Sequence, residues 1–500
     1  MTESGQSIGR KMAKGAAWMV GFKLVERSIG MISTILLARI LVPEDFGLIA
    51  MATAVIAVVE ILQAFGFDVA LIQNQNATRE DYDTAWTLNI LLAAACTVLL
   101  AIAAYPMAAF YGDPRVEFVI YWLASGMLVQ GFENIGIVAF RKELTLHKEF
   151  WFLLAKKLVA FAVTVSCALL MRNYWALVIG MVSSRVIGVA LSYLVHPYRP
   201  RLSLARAAAL FHFSKWLLMA NVIHIARSQA ASIIVGRMES AHALGLFSIS
   251  LEISYLPTTE LSAPINRAVF PGYSILSRDT DALREGFRKV ISLIVLVTLP
   301  AALGIVVVAE PLVLTLLGDK WVDAIPLIQV LAFCGLVASL QSNLGFVFLA
   351  TGHARFVTVW SAAMLLVQLP LVIFGALHYG VLGAAAGLLA SVIVPLPFVL
   401  VSLSRLIDMS LRDLLSISWR PLLSTAMMVS AVLVWLSSAA PASGIVNSPL
   451  FLLVSSVMLG AVTYAVAIVS SWLLAGRPAG PEAYLVERAV VFFHAPRPKP

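Results

Sequence analysis

Residues 291–309 read ISLIVLVTLPAALGIVVVA, a stretch without a charged side chain. A helix of these nineteen residues rises about 29 Å, which matches the ~30 Å hydrocarbon core of a bilayer. The rest of the chain has the same character, because 60% of its 500 residues are hydrophobic and only 12% are charged. Soluble domains carry about 25% charged residues. The composition therefore excludes a water-soluble domain and predicts an all-α polytopic membrane protein.

Apolar runs of similar length recur along the whole chain and are separated by short polar segments. A transmembrane helix needs about 20 consecutive, mainly apolar residues, and this criterion predicts about 14 transmembrane helices. The predicted spans are residues 15–38, 46–72, 84–110, 116–140, 150–171, 174–195, 212–235, 243–266, 289–309, 324–350, 356–377, 381–404, 420–439 and 448–475.

Lys and Arg residues are distributed unevenly between the two sides of the predicted membrane. With the N-terminus in the cytoplasm, 25 of the 35 are assigned to cytoplasmic segments and the span ends next to them, 5 to segments on the other side and 5 to the membrane interior. Basic residues accumulate in cytoplasmic loops, so both termini are predicted to be cytoplasmic. The net charge of +8 is therefore a feature of topology and does not indicate a nucleic-acid partner. No signal peptide is predicted, because the first apolar run contains Lys23, Glu26 and Arg27.

A weak internal repeat relates two parts of the chain. The pattern Arg27-Ser28, Arg39 and Phe46-Gly47-Leu48 returns as Arg227-Ser228, Arg237 and Leu244-Gly245-Leu246. The copies are six predicted spans apart, so both have the same orientation, as in the parallel repeats of two-lobed transporters. The repeat predicts two six-helix lobes at residues 1–200 and 201–405, two additional transmembrane helices within 406–476, and a cytoplasmic tail at 477–500. The proline and basic content of the tail predicts disorder.

Five basic residues are assigned to the membrane interior, as distinct from those near the cytoplasmic ends of the spans, and in the interior a charge is costly unless it faces a cavity or a partner. They are Lys23, Arg27, Arg185, Arg227 and Arg267. Lys23 and Arg27 lie on one face of the first span, because they are four residues apart. We interpret the five residues as cations that line a substrate cavity. Such a cavity suits a phosphate-bearing substrate, since Arg and Lys bind phosphate oxygens.

Polar residues also follow one face of the seventh and eighth spans. Asn221 and His224 accompany Arg227 in the seventh span. The eighth span carries, at helical spacing, the set Ser248, Glu252, Tyr255, Thr259, Ser262 and Asn266. This stripe predicts a polar interior that faces the sugars of a substrate. His224 is interpreted as a hydrogen-bonded core residue in preference to a proton relay.

The carboxylates within spans allow two interpretations. They are Glu26, Glu60, Asp68, Glu133, Glu252 and Glu260. Glu60, Glu133 and Glu252 could carry a coupling proton or bind Na⁺, and the sequence does not distinguish between the two ions. The alternative is structural: Glu26 with Arg27, and Glu252 with Arg227, could form ion pairs that only hold helices together.

Motifs for cofactors and metals are absent from the sequence. It contains no P-loop, no HExxH motif and no paired CxxC motifs. Asp81-Tyr82-Asp83 has the DxD form of metal-dependent sugar transferases, but a solvated helix N-terminus explains it better. No catalytic residue, metal site or cofactor is therefore predicted, and the chain is not expected to be an enzyme.

Five short motifs occur in order along the chain: residues 38–48 (ARILVPEDFGL), 270–274 (FPGYS), 317–327 (LGDKWVDAIPL), 350–352 (ATG) and 379–384 (YGVLGA). Together they resemble the Wzx-type polysaccharide and O-antigen repeat-unit flippases of the multidrug/oligosaccharidyl-lipid/polysaccharide (MOP) superfamily. The colanic-acid-exporter-like branch of that family is the most similar. The family usually has twelve spans, so the two additional helices of this chain depart from its pattern.

The resemblance implies a MATE/MOP-like fold whose two lobes alternate between inward-open and outward-open states around a cationic cavity. The implied substrate is an undecaprenyl-pyrophosphate-linked oligosaccharide, moved from the cytoplasmic to the periplasmic leaflet of the bacterial inner membrane for polymerisation. Arg27 and Arg227, with Lys23, would hold the pyrophosphate. The implied energy source is a gradient of H⁺ or Na⁺. The expected partners are membrane lipids, a polysaccharide polymerase and glycosyltransferases.

Three other functions compete with this one. Within the superfamily, the chain could be a drug/ion antiporter or a peptidoglycan-precursor flippase. An exporter of organic cations would depend on unpaired carboxylates inside the membrane, whereas a flippase would depend on cations. A membrane-embedded glycosyltransferase or polymerase would need a long catalytic loop, and the longest segment between spans, residues 267–288, is short. A structural scaffold would not need charges inside its spans.

Overall fold

The computed structural model describes residues 3–63, 67–439 and 448–478, and these residues are almost entirely helical. The helices of the first half are α1 Glu3–Ile40, α2 Pro43–Glu60, α3 Phe67–Gln73, α4 Arg79–Tyr111, α5 Arg115–Gly131, α6 Ala139–Lys142, α7 Leu146–Met171 and α8 Trp175–Val195. The second half contains α9 Ala207–Met238, α10 Ala241–Leu276, α11 Thr280–Leu316, α12 Ala324–Ala350, α13 Ala354–Ile393, α14 Leu396–Ile407, α15 Leu411–Ala439 and α16 Pro449–Leu474. The predicted all-α fold is confirmed. The predicted tail from residue 479 onward lies outside the described residues.

The number of transmembrane helices is smaller than predicted when it is judged by length and composition. Within the described residues, eight helices are long and apolar enough to cross a membrane, or up to nine if a bent pair forms one span. The described residues of the fourteen predicted spans are mainly helical, but α1, α2, α9 and α10 are not among those eight. In α2 the reason is charge, since its 18 residues include Glu44, Asp45 and Glu60. The count of fourteen is therefore not confirmed.

The fourth predicted span is broken near its C-terminal end. Helix α5 ends at Gly131, and the segment Ile135–Lys142 continues at an angle of 69°. Asn134 stabilises the break, because its Oδ1 accepts a hydrogen bond of 2.9 Å from the backbone N–H of Gly136. The Asn134 Nδ2 also donates to the carbonyl of Tyr198 at 2.8 Å. The break thus fastens α5 to the segment that follows α8.

Helix α13 turns back on itself where two predicted spans were separated. Tyr379 and Gly380 leave the helical conformation, and Gly380 has φ 63° and ψ −152°, which a residue with a side chain rarely adopts. The two arms then pack closely, because a Cβ placed on Gly375 would overlap the carbonyl oxygen of Gly383. The segment Ala354–Ile393 therefore contains a tight helical hairpin.

The chain divides into two compact units, Met1–Gly245 and Leu246–Pro500. In the first unit, α4 packs on α5, α7 packs on α8, and α1 lies along α7 through the ring contact of Trp18 with Phe150 at 4.8 Å. Helix α9 is part of this unit, whereas the repeat places it at the start of the second lobe. The lobe boundaries at residues 200 and 405 remain a prediction.

The second unit has its own core and includes the two additional helices. Tyr273 of α10, Phe287 of α11 and Leu403 of α14 are buried together in one apolar cluster. Helices α15 and α16 pack on each other and on α11. The Tyr464 hydroxyl of α16 donates a 2.6 Å hydrogen bond to the carbonyl of Leu296 in α11. The additional helices are thus integral to this unit.

Two repeat-related glycines contact each other. A Cβ placed on Gly47 would overlap the carbonyl oxygen of Ala241, and a Cβ placed on Gly245 would overlap the carbonyl oxygen of Pro43. In each case the carbonyl belongs to the residue four positions before the other glycine. The contact is therefore reciprocal. The repeat itself stays a prediction.

Candidate functional site

The polar face of α1 carries two of the predicted cations. The Lys23 Nζ lies 2.7 Å from the Glu26 Oε2, and the Lys23 side chain is 59% exposed. Arg27 is half-buried. Phe22 points to the other side of the helix, where it packs against Phe150 of α7. Helix α1 is therefore amphipathic. Glu26 forms an ion pair with Lys23, and Arg27 lies on the face that the sequence predicts to line a cavity.

Helix α9 contributes the matching residues of the second repeat copy. Arg227 is half-buried, like Arg27. Ser228 uses its hydroxyl to donate to the carbonyl of Ile225, within the helix. The predicted site residues Asn221 and His224 have side chains outside the described part of the structure, as do Thr259 and Arg267 on α10. For these four residues the sequence-based assignment stays a prediction.

The polar stripe of α10 is divided between two faces. Ser248, Glu252 and Tyr255 are half-buried. A second set, repeating every four residues, is buried: Ser250, Ser254, Thr258, Ser262 and Asn266. Ser250 and Ser254 donate to the carbonyls of Ala324 and Ile328 in α12, at 3.4 and 3.1 Å.

Ser262 and Asn266 therefore differ from their prediction, since they belong to the buried set and not to the cavity-facing stripe. Small polar residues four positions apart allow close helix packing. That spacing is the signal by which the sequence could have revealed this contact.

Two residues that the sequence assigned to different roles are brought together in the first unit. Arg185 of α8, predicted as a cavity cation, places its Nη2 at 3.0 Å from the Oε1 of Glu60, a predicted ion-coupling acid. The Arg185 Nη1 also donates to the carbonyl of Leu123 at 2.9 Å. The Arg185 side chain is only 14% exposed. A buried charge of this kind requires a partner, so the pair has a structural role whatever else it does.

Glu133, the second predicted coupling acid in this unit, also has a cationic neighbour. The Nζ of Lys156 on α7 lies 3.8 Å from its Oε2. The stem of Lys156 passes over Gly188 of α8, where a side chain would collide with it. Sequence reasoning placed Lys156 at the cytoplasmic border and missed this contact. Helical spacing alone does not indicate which neighbouring helix a lysine reaches.

A polar cavity of about 360 Å³ lies in the first unit beside this pair. Its lining includes the charged residues Asp68, Glu133, Arg141 and Glu149. Arg141 joins two of them, since its Nε donates to Glu149 Oε1 at 2.5 Å and its Nη1 to Asp68 Oδ2 at 3.2 Å. Glu149 was not predicted as a site residue, because it precedes the predicted start of the fifth span at residue 150.

The segment between α8 and α9 is held to α4 outside the predicted spans. The carboxylate of Asp83 accepts hydrogen bonds from the Tyr198 hydroxyl at 2.7 Å and from the Arg201 backbone N–H at 2.8 Å. Burial, followed by the hydrogen bond to Asp83, raises the pKa of Tyr198. Tyr198 therefore stays protonated and keeps donating at physiological pH.

Together these features define an all-helical, multi-pass membrane protein with charged and polar residues in its interior. Its fold is similar to that of the lipid II flippase MurJ in an inward-closed conformation, with a TM-score of 0.71 at 12% identity, covering 92% of this chain and 100% of that chain. An inward-facing multidrug-resistance MATE transporter of the MOP superfamily gives a TM-score of 0.61 at 12% identity, covering 77% of this chain and 96% of that chain. The predicted MOP fold is confirmed.

The chain belongs to the family described as polysaccharide biosynthesis protein, whose model matches residues 36–326. Over 83% of its length it is 24% identical to the lipopolysaccharide biosynthesis protein WzxC of Escherichia coli K12, covering 85% of that protein. It is 25% identical to the teichuronic acid biosynthesis protein TuaB of Bacillus subtilis, covering 75% of this chain and 78% of that protein. The succinoglycan biosynthesis transport protein ExoT of Rhizobium meliloti is 22% identical, covering 65% of this chain and 66% of that protein.

Proposed function

We propose that this chain is a flippase that moves a lipid-linked oligosaccharide repeat unit across the membrane by alternating access, for polysaccharide biosynthesis. The observation that carries the proposal is membership of the polysaccharide biosynthesis family together with similarity to WzxC over most of both chains. A transport role agrees with the name of ExoT, and the fold is one that MurJ, a lipid II flippase, also has.

Arg27 and Arg227 are the residues that we assign to the pyrophosphate of the substrate. They occupy equivalent positions in the two repeat copies, and both are half-buried on polar helix faces. Guanidinium groups bind phosphate oxygens in bidentate fashion and stay charged at any physiological pH. Lys23 is a weaker candidate, because its side chain is exposed.

The sugars are assigned to the half-buried residues Ser248, Glu252 and Tyr255 of α10. Their hydroxyl and carboxylate groups supply both donors and acceptors, which a saccharide needs. We place the protein in the bacterial inner membrane with both termini in the cytoplasm, as the distribution of Lys and Arg indicates. The role is that of a transporter that supplies a polymerase and receives its substrate from glycosyltransferases. A gradient of H⁺ or Na⁺ drives it.

The test is complementation of a strain that lacks the gene. The double variant Arg27→Ala/Arg227→Ala is compared with the double variant Arg278→Ala/Arg355→Ala, which removes two exposed arginines. We expect the first to abolish surface polysaccharide and to accumulate lipid-linked precursor, and the second to behave as wild type. Protein abundance in the membrane is measured in parallel. Normal polymer from the first variant at normal abundance would contradict the assignment of the two arginines.

A further inference from the structure

The polar cavity of the first unit is lined by side chains that accept and donate hydrogen bonds. The carboxylates of Asp68, Glu133 and Glu149 contribute acceptors. The amides of Asn89 on α4 and Gln130 on α5 contribute donors as well as acceptors. The cavity volume of about 360 Å³ is within the range of small-molecule sites. Size and lining therefore suit a small ligand that carries several hydrogen-bonding groups.

Glu149 supplies this cavity with an acceptor that the fold does not use. The residue is only 4% exposed, and its Oε1 accepts from the Arg141 Nε. The Glu149 Oε2 is also buried, and among the described residues it has no hydrogen-bond partner. Leaving a buried acceptor unpaired is unfavourable, so a donor group on a ligand would stabilise this oxygen. Glu149 therefore indicates a ligand that donates hydrogen bonds.

Two aromatic rings give the same cavity an apolar wall. Phe140 of α6 and Phe152 of α7 both line it, and both are buried. The face of an aromatic ring carries partial negative charge, so it attracts the weakly positive C–H groups of a sugar ring. A sugar presents hydroxyl groups around its edge and C–H groups on its faces. The carboxylates and amides suit the hydroxyl groups, and the two rings suit the C–H groups.

The charges of the cavity distinguish between classes of sugar. Its three carboxylates meet two basic residues, since Arg141 pairs with Asp68 and Glu149 while Lys156 lies beside Glu133. Carboxylates therefore outnumber cations in this group. A uronic acid or a phosphorylated sugar would bring a further anion, which like charges repel. The carboxylates do not form a metal site either, because the described part of the chain contains no group of three metal-ligating side chains. The cavity thus favours an uncharged sugar.

We propose that this cavity binds one uncharged sugar residue of the transported oligosaccharide, in addition to the residues of α10. Glu149 accepts a hydrogen bond from a sugar hydroxyl, and Asn89 and Gln130 are further partners. Arg141 positions Glu149, because its hydrogen bond to Oε1 leaves Oε2 for the ligand. This inference rests on the proposed transport function and adds the class of sugar that the first unit selects.

Saturation-transfer difference NMR tests the sugar site without any lipid carrier. The purified full-length chain is held in lipid nanodiscs, because many detergents carry sugar head groups that would compete. The probes are the methyl glycosides of glucose, galactose and N-acetylglucosamine, with methyl glucuronide as the acidic counterpart. We expect saturable binding of at least one uncharged glycoside and no binding of methyl glucuronide. Equal binding of the acidic probe, or no binding of any uncharged probe, would overturn the proposal.

Variants of the lining locate the bound sugar. We expect the dissociation constant of the bound glycoside to rise about tenfold in Glu149→Gln and about threefold in Gln130→Ala, because a hydrogen bond to a charged group is the stronger one. The matched controls Glu143→Gln and Gln73→Ala change exposed residues outside the lining and should bind as wild type does. If Glu149→Gln does not fold, Asn89→Ala replaces it. Unchanged binding by both lining variants overturns the proposal.

The sugar site and the transport function fail separately. A wild-type chain that binds an uncharged glycoside but does not restore surface polysaccharide to the deletion strain counts against the transport function and supports the sugar site. A chain that restores the polysaccharide but binds no uncharged glycoside overturns the sugar site alone, and the cavity then holds only water.

Discussion

Polar side chains in the interiors of the two units make different kinds of contact. In the first unit, interior helices are joined by ion pairs, such as Arg185 with Glu60 and Arg141 with Glu149. In the second unit, neutral amides join α10 and α12: the Asn343 Nδ2 donates to the Asn266 Oδ1 at 2.9 Å, and Asn343 accepts from the Tyr273 hydroxyl at 3.2 Å. The pairs around Arg284 in that unit lie at exposed helix ends.

The two kinds of contact respond differently to pH and to charged ligands. Neutral amide networks have the same hydrogen-bond inventory over the whole physiological pH range. Carboxylate and guanidinium groups, by contrast, carry charges that interact with charged ligands. The described contacts between helices therefore include buried ion pairs in the first unit and a buried amide network in the second. Each prediction below tests one side of that comparison.

The largest loss of stability is expected at the close contact of Gly47 and Gly245 with backbone carbonyls. Gly47→Ala places a methyl group on the carbonyl oxygen of Ala241, and Gly245→Ala does the same at Pro43. Because backbone atoms cannot move aside as a side chain can, we expect a loss of about 3 kcal/mol or more and little folded protein. Size-exclusion chromatography in detergent measures the folded fraction. Gly345→Ala, where a Cβ would have open space, should remain monodisperse.

The second prediction concerns the neutral scaffold. Asn343 is fully buried, and Asn343→Ala leaves the polar groups of Asn266 and Tyr273 without this partner. We expect a loss of about 2–3 kcal/mol in the free energy of unfolding. Thermal unfolding followed by tryptophan fluorescence provides the measurement. Ser274→Ala, which removes an exposed hydroxyl, should change little. Equal stability of the two variants would show that the amide network does not stabilise the second unit.

The third prediction concerns the ionic interior. Arg185→Met removes the partner of Glu60, whose side chain is 41% exposed and can still reach water. The cost should therefore be about 1–2 kcal/mol, below that of a fully buried pair. The change Arg284→Met removes a partly exposed cation of the second unit whose carboxylate partners, Asp281 and Asp408, are exposed, and it should cost about 0.5 kcal/mol. Thermal unfolding of both variants gives the two losses of stability. A larger loss for Arg284→Met than for Arg185→Met would contradict the prediction.

The smallest effect is expected outside the membrane, in the turn between α4 and α5. The Asp113 carboxylate lies 2.7 Å from the Arg115 Nη2. Burial of Asp113 opposes ionisation, but the hydrogen bonds from Arg115 outweigh it and lower the pKa of Asp113. This group therefore stabilises the fold above its unfolded pKa of about 3.9, and the stabilisation disappears as the pH falls through the lower folded pKa.

Asp113→Asn should accordingly cost about 1 kcal/mol at pH 7 and almost nothing at the acid end of the titration. Melting temperatures of wild type and variant between pH 7 and pH 3 provide the measurement. Curves that stay parallel throughout would show that the Arg115 contact does not depend on the charge of Asp113.

The sequence predicted some features of the interior and missed others. It identified Arg185 and Glu60 as charges within predicted spans, but it gave them different roles and did not pair them. It placed Ser262 and Asn266 on a cavity face, whereas both pack toward α12. It missed Glu149, which lies at the first turn of α7 and resembles a loop residue in a hydropathy scan. Local periodicity finds a polar residue within a helix, but it does not specify which helix lies opposite.

The sequence alone determined that this chain resides in a membrane, that it is all-α, and that its motifs resemble those of polysaccharide flippases. These properties follow from composition and local patterns, which need no knowledge of distant neighbours. Only the tertiary structure decided which charges meet, since Arg185 and Glu60 are 125 positions apart and Arg141 and Asp68 are 73 apart. An ion pair or a binding site depends on distances of a few ångströms between such residues, and folding alone sets those distances.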